Sequence, residues 1–177
     1  MAMALAFLFP LIQSQRRKGR AFQPSFRPTE VLLSWTGALV AITLLGLISA
    51  ASRYPLVAAP LGASSVLLFG HPQSPLAQPR NLLLGNGLAA LASVVCVAWL
   101  GTAPWVMGLA VALAIAAGQL LRCLHPPAGA VALLGVLLHA GPSYVVAPVL
   151  SGSLVLLLVA LGFGWLIPGR RYPHHWF

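Results

Sequence analysis

Between Val31 and Leu166 the chain carries three charged side chains, Arg53, Arg80 and Arg122, and each falls between long apolar runs. A helix needs roughly 20 predominantly apolar residues to cross a bilayer. Residues 31–52, 82–100 and 144–166 meet that length, and 105–121 is an uncharged run at its lower limit. Hydrophobic residues make up 59% of the 177 and charged ones 6%, against roughly 25% charged in soluble domains. A soluble core would need these helices hidden inside a much larger protein. The reading is therefore an all-α, polytopic membrane helix bundle.

The net charge of +9 would suggest nucleic acid in a soluble chain, but basic residues also flank membrane spans on the cytoplasmic side. Arg16, Arg17, Lys18, Arg20 and Arg27 fit that role, and no nucleic-acid partner is expected. The first ten residues are apolar before the chain becomes basic, the reverse of a secretory signal. Residues 1–27 thus read as a basic leader or interfacial anchor and 28–177 as the membrane domain. The expected location is a prokaryotic plasma membrane, with both termini cytoplasmic. Cys96 and Cys123 lie within or beside apolar runs, so reduced core thiols are expected rather than a disulfide.

The apolar runs repeat. Pro60-Leu-Gly-Ala63 and Pro127-Ala-Gly-Ala130 stand 67 residues apart, and each opens a stretch too short to cross a bilayer as a continuous helix. Trp35 and Leu39 align with Trp105 and Leu109 at an offset of 70. Gly85–Leu88 aligns with Ser151–Leu154, and Trp99 with Trp165, at an offset of 66. The pattern predicts two units of long helix, short broken helix and long helix, over about 31–100 and 105–167, followed by an interfacial tail at 168–177.

If the short segments re-enter on one side, Arg53, Arg80 and Arg122 all lie outside. If they cross, Arg80 and Arg122 join the cytoplasmic face, as the positive-inside tendency prefers. The two units are then inverted, and both short helices point their N-termini toward the bilayer centre. Paired, Pro/Gly-interrupted segments of this kind mark solute sites in transporters.

Acid–base and nucleophilic catalysis find little support, because Glu30 is the only acidic residue. Cys123 and His125 alone do not make a zinc site. No enzyme activity, metal or cofactor is expected. Anion binding fits better, because a helix N-terminus offers backbone N–H groups and partial positive charge. Pro60 and Pro127 suit first-turn positions, and Gly62 and Gly129 let a solute approach the backbone. Ser64 and Ser65 either donate hydroxyls to a solute or bond their own helix. Arg122 either attracts the anion or anchors the interface, and His125 either donates to the anion or caps its helix. Asn86 is a polar amide inside an apolar run and needs a partner, either a neighbouring helix or the solute.

These motifs resemble a known family. Leu124-His-Pro-Pro-Ala-Gly-Ala130 contains the triplet that names the HPP family of integral membrane proteins. Residues 59–69, the loop at 74–80 and Tyr172-Pro-x-x-Trp176 are similar to its other recurring elements. The resemblance runs from about residue 27 to the C-terminus. It implies four spanning helices and, by analogy with members in cyanobacteria and chloroplasts, nitrite transport. His125, Pro126 and Pro127 match its signature. The expectation is a transporter or channel for a small inorganic anion, nitrite first, in a lipid bilayer and as a homo-oligomer. The alternatives are a passive channel for a neutral or weak-acid solute and a non-transporting scaffold.

Overall fold

The computed structural model describes residue 19 and residues 24–52 and 59–176. The leader expected over 1–27 and the segment at 53–58 lie almost wholly outside the described residues. The chain divides into two units, Met1–Leu32 and Leu33–Phe177. The described part of the first contains the start of α1 (Pro28–Ser52). There Glu30 reaches back over the helix start. Its carboxylate accepts from the backbone N–H of Arg27 at 2.9 Å and from the Arg27 guanidinium at 2.9 Å, satisfying a donor that the first turn leaves open.

The second unit holds the rest of α1 and five further helices: α2 (Ala59–Gly70), α3 (Asn81–Leu100), α4 (Pro104–Leu120), α5 (Pro126–Leu137) and α6 (Val145–Leu166). A single 3₁₀ turn, Pro75–Ala77, lies between α2 and α3. No strand occurs among the described residues. Three helices, α1, α3 and α6, are long and apolar enough to span a bilayer. The run at 105–121 forms α4 with 17 residues, about 26 Å long and short of the roughly 30 Å hydrocarbon core.

Prolines open α4 and α5, where a missing N–H is not needed. Gly101, at φ 77°, ends α3 in a conformation that favours glycine. Both α3 and α6 begin irregularly, α3 with a wide π turn at Asn81–Gly85 and α6 with a kinked first turn at Val145–Leu150. In α6 the turn is broken at Ala147 (φ −140°, ψ 132°), and Pro148 contributes no N–H there.

Small side chains set how closely the helices approach. α3 packs against both α4 and α5 through Ala89, Ala90, Ala110, Ala128 and Ala132, with Val136 and Tyr144 in the same core. A second core joins Ala41 and Leu45 of α1 to Leu61, Leu68 and Phe69 of α2 and to Leu156 and Leu157 of α6. Polar residues Ser64, Asn86, Ser93, His125 and Ser153 are buried, while Val66, Leu91, Leu133 and Leu158 are exposed. That inside-out distribution suits lipid surroundings. Trp99 and Trp165 are exposed at the C-terminal ends of α3 and α6, and Trp105 at the start of α4, positions typical of an interfacial aromatic belt.

Hydrogen bonds between elements fix the direction of the short helices. The Phe69 carbonyl, at the end of α2, accepts from Ser34 near the start of α1 and from Arg170 just after α6. Residues 33–52 of α1 rise about 30 Å, so the chain returns across the bundle between Ser52 and Gly70. α2 itself, with 12 residues, covers about 18 Å of that return. At the other end of the molecule, His139 beyond α5 meets Thr102 in the α3–α4 turn at 3.1 Å. α2 and α5 therefore run in opposite directions.

One close approach provides a test. A Cβ on Gly135 would collide with the Ser93 hydroxyl and lie 3.0 Å from the Tyr144 ring. Gly135→Ala is expected to destabilise the α3–α5 packing by about 1–3 kcal/mol. Gly46→Ala, where a Cβ meets nothing within 4 Å, should leave thermal unfolding unchanged or slightly raise it. Melting of both variants in detergent checks the contrast.

Candidate functional site

The site is organised around His125. A residue preceding proline is held out of the helical region, and His125 accordingly lies extended (φ −130°, ψ 110°) immediately before α5. Its side chain is 1% exposed. Nδ1 lies 2.9 Å from the Leu76 carbonyl and Nε2 lies 2.9 Å from the Ser64 hydroxyl. A carbonyl only accepts, so Nδ1 carries the proton, and Nε2 of the neutral ring accepts from Ser64. One imidazole thus ties α2, the 75–77 turn and the start of α5 together.

The stretch leading to His125 lies along the first turns of α3. Arg80 donates to the Leu121 carbonyl at 2.7 Å, and the Asn81 amide donates to the Leu124 carbonyl at 2.8 Å. Gly85 is the contact point: a Cβ there would sit 2.7 Å from the Cys123 carbonyl oxygen and 2.8 Å from the His125 Cβ. Only glycine fits without displacing backbone.

A pocket of about 420 Å³ opens between α4 and the start of α5. His125, Pro126 and Gly129 line it with Val111, Ile115 and Gly118, and its walls are predominantly apolar. The start of α5 supplies few donors to it. Pro126 and Pro127 have no N–H, and the Ala128 N–H is bonded to the His125 carbonyl at 2.9 Å. The helix dipole remains; these first-turn N–H groups are not available to a solute.

The other expected site residues divide into groups. Ser64 joins His125, whereas the neighbouring Ser65 hydroxyl donates to its own helix at the Gly62 carbonyl, at 2.8 Å. Pro60 and Pro127 are buried, and Pro126 is exposed. A Cβ on Gly62 would meet nothing within 4 Å, and one on Gly129 only Val111 at 3.9 Å. Protein packing therefore does not require glycine at either position. Asn86 donates to the Ser153 hydroxyl at 3.0 Å, bringing α3 and α6 together. Arg122 is exposed, with φ 53°, and stands outside the His125 cluster.

The sequence reading missed how much of the 71–80 loop belongs to this site. Gln78 is fully buried and donates to the Pro72 and Ser74 carbonyls at 3.0 and 2.8 Å, while its oxygen accepts from the His174 N–H at 2.9 Å. The Tyr172 hydroxyl donates to the Ala77 carbonyl at 2.8 Å, and burial raises its pKa. The tail thus clamps the turn that presents Leu76 to His125. Two amide side chains within four positions, Gln78 and Asn81, were the available signal in an otherwise apolar and proline-rich neighbourhood.

The fold and its interior define a polytopic, all-helical integral membrane protein. Residues 23–173 match the family described as HPP, transmembrane region, and the chain belongs to that family. It is 37% and 36% identical over 159 residues to two proteins of Dictyostelium discoideum described as transmembrane proteins. Each match takes in 83% of this chain and 51% and 56% of the respective relative, so the chain spans about half their length. No solved structure matches.

Removing the imidazole leaves the part-buried Leu76 carbonyl and the buried Ser64 hydroxyl without it. His125→Ala should cost about 2–6 kcal/mol, the sum of two such losses, and be visible as a lower unfolding temperature. Gly129→Leu, which projects into the pocket, should unfold within a few degrees of the native protein. A His125→Ala protein as stable as the native one would show that the bridge does not hold α2 to α5.

Proposed function

We propose that the chain moves a small inorganic anion, nitrite in the first instance, across a membrane, and that the solute passes where the short helices α2 and α5 meet. The observation that carries this reading is the buried Ser64–His125 hydrogen bond, which links the middle of α2 to the start of α5 across oppositely directed helices. A buried polar contact inside a membrane bundle is a functional candidate by default. Gly62 and Gly129 support it, since their missing side chains leave backbone approachable without serving helix packing. In this reading a solute oxygen takes over the Ser64 proton, Nε2 of His125 is released, and Arg122 draws anions toward the α4–α5 turn.

The interrupted first turns of α3 and α6, a π turn in one and a kink at Ala147 in the other, the bond between Asn86 and Ser153, and the opposed directions of α2 and α5 support two inverted units. With the 71–80 loop and the tail on one side, the positive-inside tendency assigns that side, and the C-terminus, to the cytoplasm. A homo-oligomer would cover the pocket where it opens between α4 and α5.

A second reading is favoured by the start of α5, where two prolines and the bonded Ala128 N–H leave an anion without those backbone donors. There the uncharged, protonated acid crosses passively. Nitrite uptake into liposomes carrying the purified protein tests both. Uptake above protein-free liposomes is expected, with Ser64→Ala lowering it about tenfold, the factor that about 1.4 kcal/mol carries. Uptake that responds to an imposed membrane potential selects the anion, and uptake that ignores it selects the acid. No uptake in either regime overturns the transport reading.

A further inference from the structure

The crossing of α3 and α6 contains two buried oxygens with no partner. Asn86 is fully buried. Its amide N–H donates to Ser153, yet its side-chain oxygen bonds nothing. The Ser151 hydroxyl, two residues before Ser153, is likewise buried and unpaired. Leu150 packs here too, since a Cβ on Gly87 would come within 3.2 Å of its side chain. Leaving such a group dry costs about 1–3 kcal/mol, and native proteins rarely tolerate it without a reason. Asn86 stands at the first residue of regular helix after a π turn, and Ser151 at the first after the kink at Ala147; helix interruptions recur at functional sites.

The chemistry of the free group specifies its ligand. An amide oxygen accepts a hydrogen bond and repels an anion, so its partner must bring an O–H or N–H. The surroundings agree. The only acidic residue, Glu30, lies at the start of α1, and His125 is neutral with both nitrogens engaged. Of the arginines described beyond α1, Arg80 and Arg170 bond loop and helix-end carbonyls, and Arg122 and Arg171 are exposed. None of these four bonds a residue of the crossing, where an anion would be costly and an uncharged acid would not.

We infer that Asn86 binds a small oxyacid in its protonated form, its O–H donated to the amide oxygen. The acid takes its proton from water on one side and returns it on the other, so no side chain titrates. This rests on the reading of uncharged-form transport above and extends it to a binding residue.

The test compares nitrite, the anion of a weak acid, with nitrate, the anion of a strong one. Unfolding of the purified protein is followed with each salt at about pH 5.5 and about pH 8; a ligand that binds only the folded state raises the midpoint. Nitrite should raise it more at the lower pH and nitrate at neither, with Asn86→Leu abolishing the nitrite shift. Asn86→Met serves if the leucine variant does not fold. Equal shifts with nitrate, no nitrite shift in the native protein, or a shift that survives loss of the amide overturns the assignment. Liposome uptake separates the two claims. Binding through Asn86 without uptake removes transport and leaves the site, whereas uptake undiminished in Asn86→Leu removes the site and leaves transport.

Discussion

One imidazole determines how the two short helices meet. His125 cannot be helical because Pro126 follows it, and it cannot leave its nitrogens bare because it is buried. Both constraints are met at once: Nδ1–H binds the Leu76 carbonyl, and Nε2 accepts from Ser64. The first bond requires an ordered 75–77 turn, and Gln78 and Tyr172 supply that order. The second holds the middle of α2 against the start of α5. Gly85 then has to be glycine, because His125 and the Cys123 carbonyl occupy the place of its side chain.

The rest of the bundle follows from lipid as solvent. Backbone groups with no water nearby must be satisfied within the protein, so interruptions are tolerated where they face the interior. The segment before α5 has the Leu121 and Leu124 carbonyls capped by Arg80 and Asn81. The broken turn of α6 has Ala147 and Val149 buried. Alanines line the contacts of α3 with α4 and α5, leucines and Phe69 fill the core shared by α1, α2 and α6, and other large aliphatic side chains turn outward to match lipid.

Much of this was legible in the residues. Uncharged runs gave α3 and α6 to within a residue of their observed starts and ends, and α1 to its observed end, because charge is what a membrane interior excludes most strongly; α1 itself begins at Pro28, three residues before its run, since its first turn accommodates Glu30. The uncharged run at 105–121 found α4 one residue after its observed start at Pro104, and Pro127 stood one residue after the observed start of α5 at Pro126. α2 and α5 emerged as short helices, Ala59–Gly70 and Pro126–Leu137, close to the expected stretches from Pro60 and Pro127. What composition could not reveal was partnership. Ser64 and Ser65 look alike in the sequence, yet one reaches His125, 61 positions away, and the other bonds its own helix. The consumption of the Ala128 N–H, and the tail's return to Gln78 and Ala77, depend on contacts 96 and 95 residues apart that no local pattern encodes.

The central claim is that the chain recrosses the bundle at each short helix, so that α2 and α5 oppose one another. Single cysteines at Gln73, Thr102 and His175, on a background without Cys96 and Cys123, report it through labelling by a membrane-impermeant thiol reagent. The account predicts that positions 73 and 175 label from one side and position 102 from the other. Labelling of 102 together with 175, with 73 on the opposite side, would mean that the short helices re-enter, and would contradict it.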